Sequence, residues 1–302
     1  MYFISLANYK FGDMKSSLLL LFCVLSIFAK AQEKATAYAL DEEYNLWNFQ
    51  KADTAYIFAD LAYIRDYPNL DARVIDSLTQ GNQVIIKSAA YRGNTIRGFY
   101  APWHEVNYVK DNQQKKGFVW LGLLALNGSK NDEGELFICG LKKFRPSTAY
   151  SSSYYESELK IFDKEQVFMT KEIFHANING QSGIETKILP GMGLQNIKNI
   201  HRLGFLGEAC GIASQYYYFA WNGTNLIHFP EKMSVSDAGV FYHQENILFP
   251  SEHKGDPSMI YKNIIDAENT SENLDAPKYK ETKSQKKYTW DGKFLSEIIT
   301  MK

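Results

Sequence analysis

A basic excess is missing from this 302-residue sequence: 33 Lys and Arg stand against 34 Asp and Glu. That balance offers no positive footprint for the phosphate backbone of nucleic acid. Metal-ligating residues are sparse and scattered. The six histidines (His104, His175, His201, His228, His243 and His253) occur singly, whereas zinc ligands come in closely spaced pairs. A calcium loop needs carboxylates at alternate positions, and residues 234–239 supply Asp237 alone. There is no serine elbow and no phosphate loop. Gly191-Met192-Gly193 follows Pro190 and lacks both a third glycine and a strand-to-helix frame, so it reads as a turn, not a dinucleotide fingerprint. No metal and no cofactor is expected.

Long apolar runs are also lacking, with one exception. Lys15 precedes an apolar stretch from Leu18 to Phe28, then Ala29-Lys30-Ala31. Small residues three and one before Gln32 mark a secretory leader, residues 1–31, with Met14 a better initiator than Met1. The run falls short of the roughly 20 apolar residues that span a bilayer as a helix, and no other segment comes close. Cys23 lies inside it without the context of a lipoprotein cleavage site. The expectation is an exported protein, periplasmic or extracellular, with no transmembrane segment once the leader is removed. Removal takes Lys10, Lys15, Lys30 and Asp13 away, leaving 30 basic against 33 acidic residues, a formal charge of −3. Two cysteines remain, Cys139 and Cys210, which an oxidising compartment allows to pair or to persist as separate buried thiols.

What is abundant is aromatic and β-branched sequence in short runs ending at Gly, Asn or Asp. Helical periodicity is poor, and an all-β protein is expected. Residues 35–50 are the one helix-like stretch after the leader, and residues 32–51 form a linker or short helix. Residues 127–134 are polar and contain two glycines, a break placed between a first domain, 52–126, and a second, 135–302. In the second, Leu136 to Leu141 reads as a buried strand, and 159–162 with 166–169 as a strand pair about residues 163–165. Residues 267–287 are polar and read as a long solvated loop.

One local repeat stands out. Phe219-Ala220-Trp221-Asn222-Gly223-Thr224-Asn225-Leu226 and Tyr288-Thr289-Trp290-Asp291-Gly292-Lys293-Phe294-Leu295 share an aromatic, a Trp, an Asn or Asp, a Gly and a Leu at fixed offsets. Each is expected to be a β-hairpin on a type I′ turn, with the glycine at positive φ. Two copies are too few for a propeller, so the second domain is expected to be a larger antiparallel domain, sandwich or partly propeller-like.

Residues 53–124 carry a resemblance. Ala62-Tyr63-Ile64-Arg65 followed by Pro68, then Val74 to Leu78 and Gly81 to Ile86, expected as a hairpin about a Gly-Asn turn, then Trp103-His104-Glu105-Val106, and finally Gly117-Phe118-Val119-Trp120 with Leu121, Leu123 and Leu124, resemble the strands of bacterial SH3 domains in order and spacing. The resemblance implies a small closed barrel of five or six strands and a binding module. Such modules use an aromatic groove for peptides or wall cross-bridges. The matching positions are Tyr67, Tyr91, Tyr100, Trp103 and Trp120, with Arg65 as a partner for a carboxylate; Trp103 and Trp120 are also candidates for the barrel core. Val74, Ile75 or Leu78, Val84, Ile86, Val106, Val119 and Leu121 are the expected core. The expected partner is a peptide, a cell-wall component or an envelope protein.

Bacterial SH3 domains are often joined to cysteine peptidases or amidases, so the rival reading makes Cys210 a nucleophile. It would need a nearby His base with its own orienting group; His228 and His243 follow it in the chain. Cys210 sits in a turn leading into the aromatic run 216–221, which favours a structural role, and the reading adopted is a non-enzymatic binding protein.

Overall fold

Short runs of alternating apolar and polar residues build an all-β molecule. In the computed structural model, which describes residues 46–272 and 276–299, nineteen strands form three antiparallel sheets, with a helical turn at Pro250–His253 and a 3-10 turn at Leu121–Leu123. The leader, with Cys23, and residues 35–45 lie outside the described residues. Leu46 and Trp47, at the end of the helix-like stretch, lie in a turn and are buried, the indole N–H donating to Leu124 O.

The first sheet contains β1 (Thr54–Tyr56), β2 (Leu61–Arg65), β3 (Val74–Thr79), β4 (Gln83–Ile86), β5 (Tyr91–Ile96), β6 (Phe99–Lys110) and β7 (Gln113–Trp120). Their order is β1-β4-β6-β7-β2-β3, with β5 also on β6. The sheet stays open. Its ends, β1 and β3, do not pair with each other, so the closed barrel expected from the sequence is not formed. Instead the chain leaving β7 meets the end of β1: Ile57 bridges Leu124, and Ala125 N donates to Tyr56 O.

The Gly-Asn turn is present, with Gly81 at φ 83°, but β3 and β4 do not form the expected hairpin. Ile57 exchanges backbone hydrogen bonds with Gly81 and Asn82, at 2.8 Å each, and this intrusion sends β3 to β2 and β4 to β1 and β6. Leu78, Val84, Ile86, Val106, Val119 and Leu121 are buried as expected. Val74 and Ile75 are not, at 44% and 41% exposed, because they occupy the start of an edge strand.

The second sheet runs β11-β10-β9-β8, from β8 (Asn127–Lys130), β9 (Leu136–Arg145), β10 (Tyr154–Phe162) and β11 (Phe168–Ala176). Leu136 to Leu141 is a buried strand segment, as its unbroken apolar run implies. The expected strand pair about residues 163–165 is β10 and β11, closed at Phe162 opposite Phe168. Asn127 to Lys130, read as part of a break between domains, is a strand paired with β9.

The third sheet is a meander of eight consecutive strands: β12 (Gly183–Pro190), β13 (Asn199–Leu206), β14 (Ser214–Trp221), β15 (Leu226–Asp237), β16 (Phe241–Leu248), β17 (Met259–Asn269), β18 (Tyr279–Trp290) and β19 (Leu295–Glu297). Its period-two alternation sends side chains to two cores. Leu203, Phe205, Tyr217, Phe219 and Trp221 join the large core built by all three sheets, whereas Ile200, Tyr218 and Ala220 face a second core with Phe229, Phe249, Ile260 and Trp290. Phe174 of the second sheet lies 5.0 Å, ring to ring, from both Tyr217 and Phe219, a sandwich-like packing of the two sheets.

Residues 267–287, expected as one long loop, belong mostly to the β17–β18 ribbon, paired from Met259 opposite Thr289 to Asn269 opposite Tyr279. The first nine residues of β18 are exposed. With both faces in water, nothing selected an apolar alternation that would have marked a strand.

Candidate binding surface

Four side chains of the first sheet converge on its outer face. Arg65 ends β2 and stands opposite Phe118 of β7, while Tyr91 opens β5 and Tyr67 follows β2. Phe118 is the centre: its ring lies 6.4 Å from that of Tyr67 and 5.3 Å from that of Tyr91, the latter edge to face. Its neighbours Gly117 and Val119 are buried, so the pleat turns Phe118 outward. Tyr67 is 67% exposed and Tyr91 43%. Along β2 the same alternation exposes Leu61 and Tyr63 while burying Ala62 and Ile64. The result is an aromatic stripe on a rigid sheet.

Trp103, Trp120 and Tyr100, also expected as contact residues, do not belong to it. Trp103 and Trp120 are buried core residues, and both indoles are used internally: Trp103 Nε1 donates to Asn94 Oδ1 at 2.7 Å, Trp120 Nε1 to Ala101 O at 2.7 Å. The Tyr100 hydroxyl accepts from Gly93 N at 3.0 Å, and a Cβ at Gly93 would sit 2.3 Å from the Tyr100 ring, so this tyrosine braces β5 against β6. Arg65 Nη1 donates to Ala72 O, tying the β2–β3 loop to the sheet. Sequence reasoning missed Phe118 as a surface residue. Its place between two buried neighbours was the available signal.

Cys139 and Cys210 do not form a disulfide. Cys139 is buried on β9 in the large core, and Cys210 is exposed in the β13–β14 connection. Burial pushes the Cys139 thiol pKa up, keeping it protonated.

Cys210 shares a cavity of about 680 Å³ with His243, Tyr242 and Ser236, Gly211 N donating to Ser236 O at 2.9 Å. His243 has an orienting carboxylate, Nδ1 lying 2.6 Å from Asp266 Oδ1. Its Nε2 has no hydrogen-bond partner and faces Glu245 Oε1 at 3.5 Å, so the imidazole is not bonded to the Cys210 thiol. His228 is stacked on Phe219 with Nε2 3.4 Å from Glu231. His201 is buried against Phe137, and burial lowers its pKa to about 4. Among the described residues no group of three or more His, Cys, Asp or Glu side chains is placed to hold a metal ion, and no helix is long and apolar enough to cross a membrane.

The chain matches no known protein family, no curated protein and no solved structure.

Proposed function

We propose that this is an exported binding protein whose first sheet is a module of the SH3 type, and that it takes a peptide or cell-wall component on the stripe formed by Tyr67, Phe118 and Tyr91. The observation that carries this is a cluster in which the exposed Tyr67 and Tyr91 flank the half-buried Phe118, on a sheet whose two tryptophans are buried and internally hydrogen-bonded. Aromatic faces give large contact area at little rotamer cost. Arg65 flanks the stripe, and the support for the SH3-type reading is the order and spacing of the sequence runs in residues 53–124.

Sedimentation with purified peptidoglycan tests it. The wild type is expected in the pellet, and replacing Tyr67 and Tyr91 together by Ala should release it to the supernatant with the melting temperature nearly unchanged. A wild type that stays soluble with both peptidoglycan and its isolated cross-bridge peptides removes the reading.

A cysteine hydrolase is the second reading, supported by the cavity that Cys210 shares with the Asp266-oriented His243. In that case wild-type protein releases soluble muropeptides from the wall, and the Cys210→Ala variant does not. The binding reading expects no release from either.

A further inference from the structure

The junction of the first two sheets holds a charged pocket that the proposed binding surface does not use. The loop before β2 brings Phe58 and Asp60, the β5–β6 turn brings Arg97, and β9 and β10 bring Lys142, Lys143, Glu156, Glu158 and Lys160, around about 390 Å³ of space. Lys160 is the buried pivot. Its Nζ donates to Phe58 O, Asp60 Oδ1 and Gln80 Oε1 at 2.7–3.0 Å and lies 4.8 Å from the Phe58 ring centroid. All three ammonium donors are therefore used.

The carboxylates are equally committed. Glu158, its side chain 3% exposed, lies 2.8 Å from Lys142, 2.7 Å from Lys171 and 3.5 Å from Lys160. Glu156 lies 2.9 Å from Arg145 and 3.7 Å from Lys142. Asp60 lies 2.7 Å from Lys160. Six cations, Arg97, Lys142, Lys143, Arg145, Lys160 and Lys171, thus surround three carboxylates.

The excess has a definite address. Arg97 is half-buried and has no side-chain hydrogen bond or ion pair among the described residues, and Lys143 likewise has no ion pair. Burial pushes the Arg97 pKa down, while Asp60 and Glu158 act from a distance in the other direction. A half-buried guanidinium that no carboxylate among the described residues engages is free to take an anion. Its backbone is demanding too: Arg97 has φ 57° and Gly98 φ 87°, the pair of left-handed positions of a type I′ turn, where Asn or Asp normally precedes Gly. The turn is nonetheless held in place, with Phe144 N donating to Arg97 O at 2.9 Å. An arginine thus occupies a turn position that its backbone disfavours, aimed at a pocket with surplus positive charge.

From this we infer that the pocket is a binding site for a small organic oxyanion, a carboxylate or phosphate compound, with Arg97 as its bidentate anchor and Lys143 as a second cation. The planar fork of a guanidinium matches two acceptor oxygens of either group. The Asp76 cluster shows the contrast. There Lys110 and Tyr108 meet Asp76 at 2.5 and 3.1 Å, and Lys115 lies between Asp76 at 3.3 Å and Asp111 at 3.7 Å, so two cations face two carboxylates and none is left over.

The test is isothermal titration calorimetry of the full exported chain at low ionic strength with citrate, inorganic pyrophosphate and, as a neutral control, glucose. Binding of citrate alone assigns a carboxylate ligand, and binding of pyrophosphate alone a phosphate ligand. The decisive variant is Arg97→Asn, because Asn suits the left-handed turn and leaves folding intact or improved. It should weaken the anion at least about tenfold, whereas Tyr67→Ala should leave it unchanged. Failure to bind either anion, or equal binding by Arg97→Asn with its melting temperature maintained, overturns the site.

Discussion

The two Trp-Gly hairpins are written in the same sequence code and end in different cores. Both close as the repeat implies, Trp221 opposite Leu226 and Trp290 opposite Leu295. Both glycines have positive φ, 95° at Gly223 and 89° at Gly292. The turn is not the expected type I′, because Asn222 and Asp291 keep negative φ. Each loop has four residues, and the Asn or Asp side chain fastens it: Asn222 Oδ1 accepts from Thr224 N and Asn225 N, Asp291 Oδ1 from Lys293 N and Phe294 N. Beyond the turn the two diverge. Trp221 enters the large core and donates to the buried Glu135 carboxylate at 2.8 Å, whereas Trp290 enters the second core and donates to Gln195 O at 2.8 Å. A local motif specifies its own closure, and position in the sheet decides which face its tryptophan serves.

Truncating the tryptophans should separate the two most clearly. Trp221→Ala opens the core shared by three sheets and removes one of the two donors to Glu135 Oε2, leaving Asn131 Nδ2 at 2.7 Å, so a loss of about 3–5 kcal/mol is expected. Trp290→Ala, beside the short terminal strand β19, should cost less, nearer the lower end of that range. Chemical denaturation of both variants measures the gap; equal losses would mean that the two cores contribute alike.

Gly→Val at each turn should cost about 1–2 kcal/mol, since a β-branched residue is forced to positive φ. The two losses should be nearly equal, because the backbone demand is the same. The neighbours differ only modestly: a Cβ at Gly223 would meet the flexible end of Lys198 at 2.9 Å, and at Gly292 the Asn196 side chain at 3.2 Å. A clear inequality in melting temperature would show that these neighbours, and not φ, set the cost.

Acid provides the finest distinction. Backbone hydrogen bonds from Phe294 and Lys293 hold the Asp291 carboxyl below its usual pKa. A group with a lowered folded pKa contributes stability that is present above its unfolded pKa and is lost as pH falls through the folded one. Below about pH 4 the Lys293 and Phe294 amide resonances should therefore shift in NMR spectra, while those of Thr224 and Asn225, held by the uncharged Asn222, stay put. His201 adds a separate global term. Its pKa is lowered by burial to about 4, so stability should decline as pH falls from about 6.5 towards 4 and then level off. A melting temperature flat across that interval would contradict the buried neutral imidazole.

Readability from sequence tracked how local the deciding contacts are. The buried run Leu136 to Leu141, the β10–β11 pair and both Trp hairpins were legible because their partners lie within a few residues. The β3–β4 pairing was misread because Ile57, over twenty residues earlier, takes the turn's hydrogen bonds. At the aromatic stripe, Tyr67 and Tyr91 are singled out by the resemblance alone, whereas the Phe118 ring that joins them is placed by register across β6 and β7. The charged pocket was invisible: Asp60, Arg97 and Lys160 come from three separate segments, and nothing in any one of them marks surplus charge.

By itself the sequence determined the strand-rich class, the positions of the turns and most of the apolar core, since alternation, glycine and Asn or Asp act within a few bonds of the backbone they shape. Tertiary structure decided the rest: an open first sheet in place of a barrel, two cores on opposite faces of one meander, separate thiols at Cys139 and Cys210, and an arginine left without a carboxylate. Those outcomes depend on which distant strand edges and charges meet, a choice made by long-range pairing and burial after the local pieces are set.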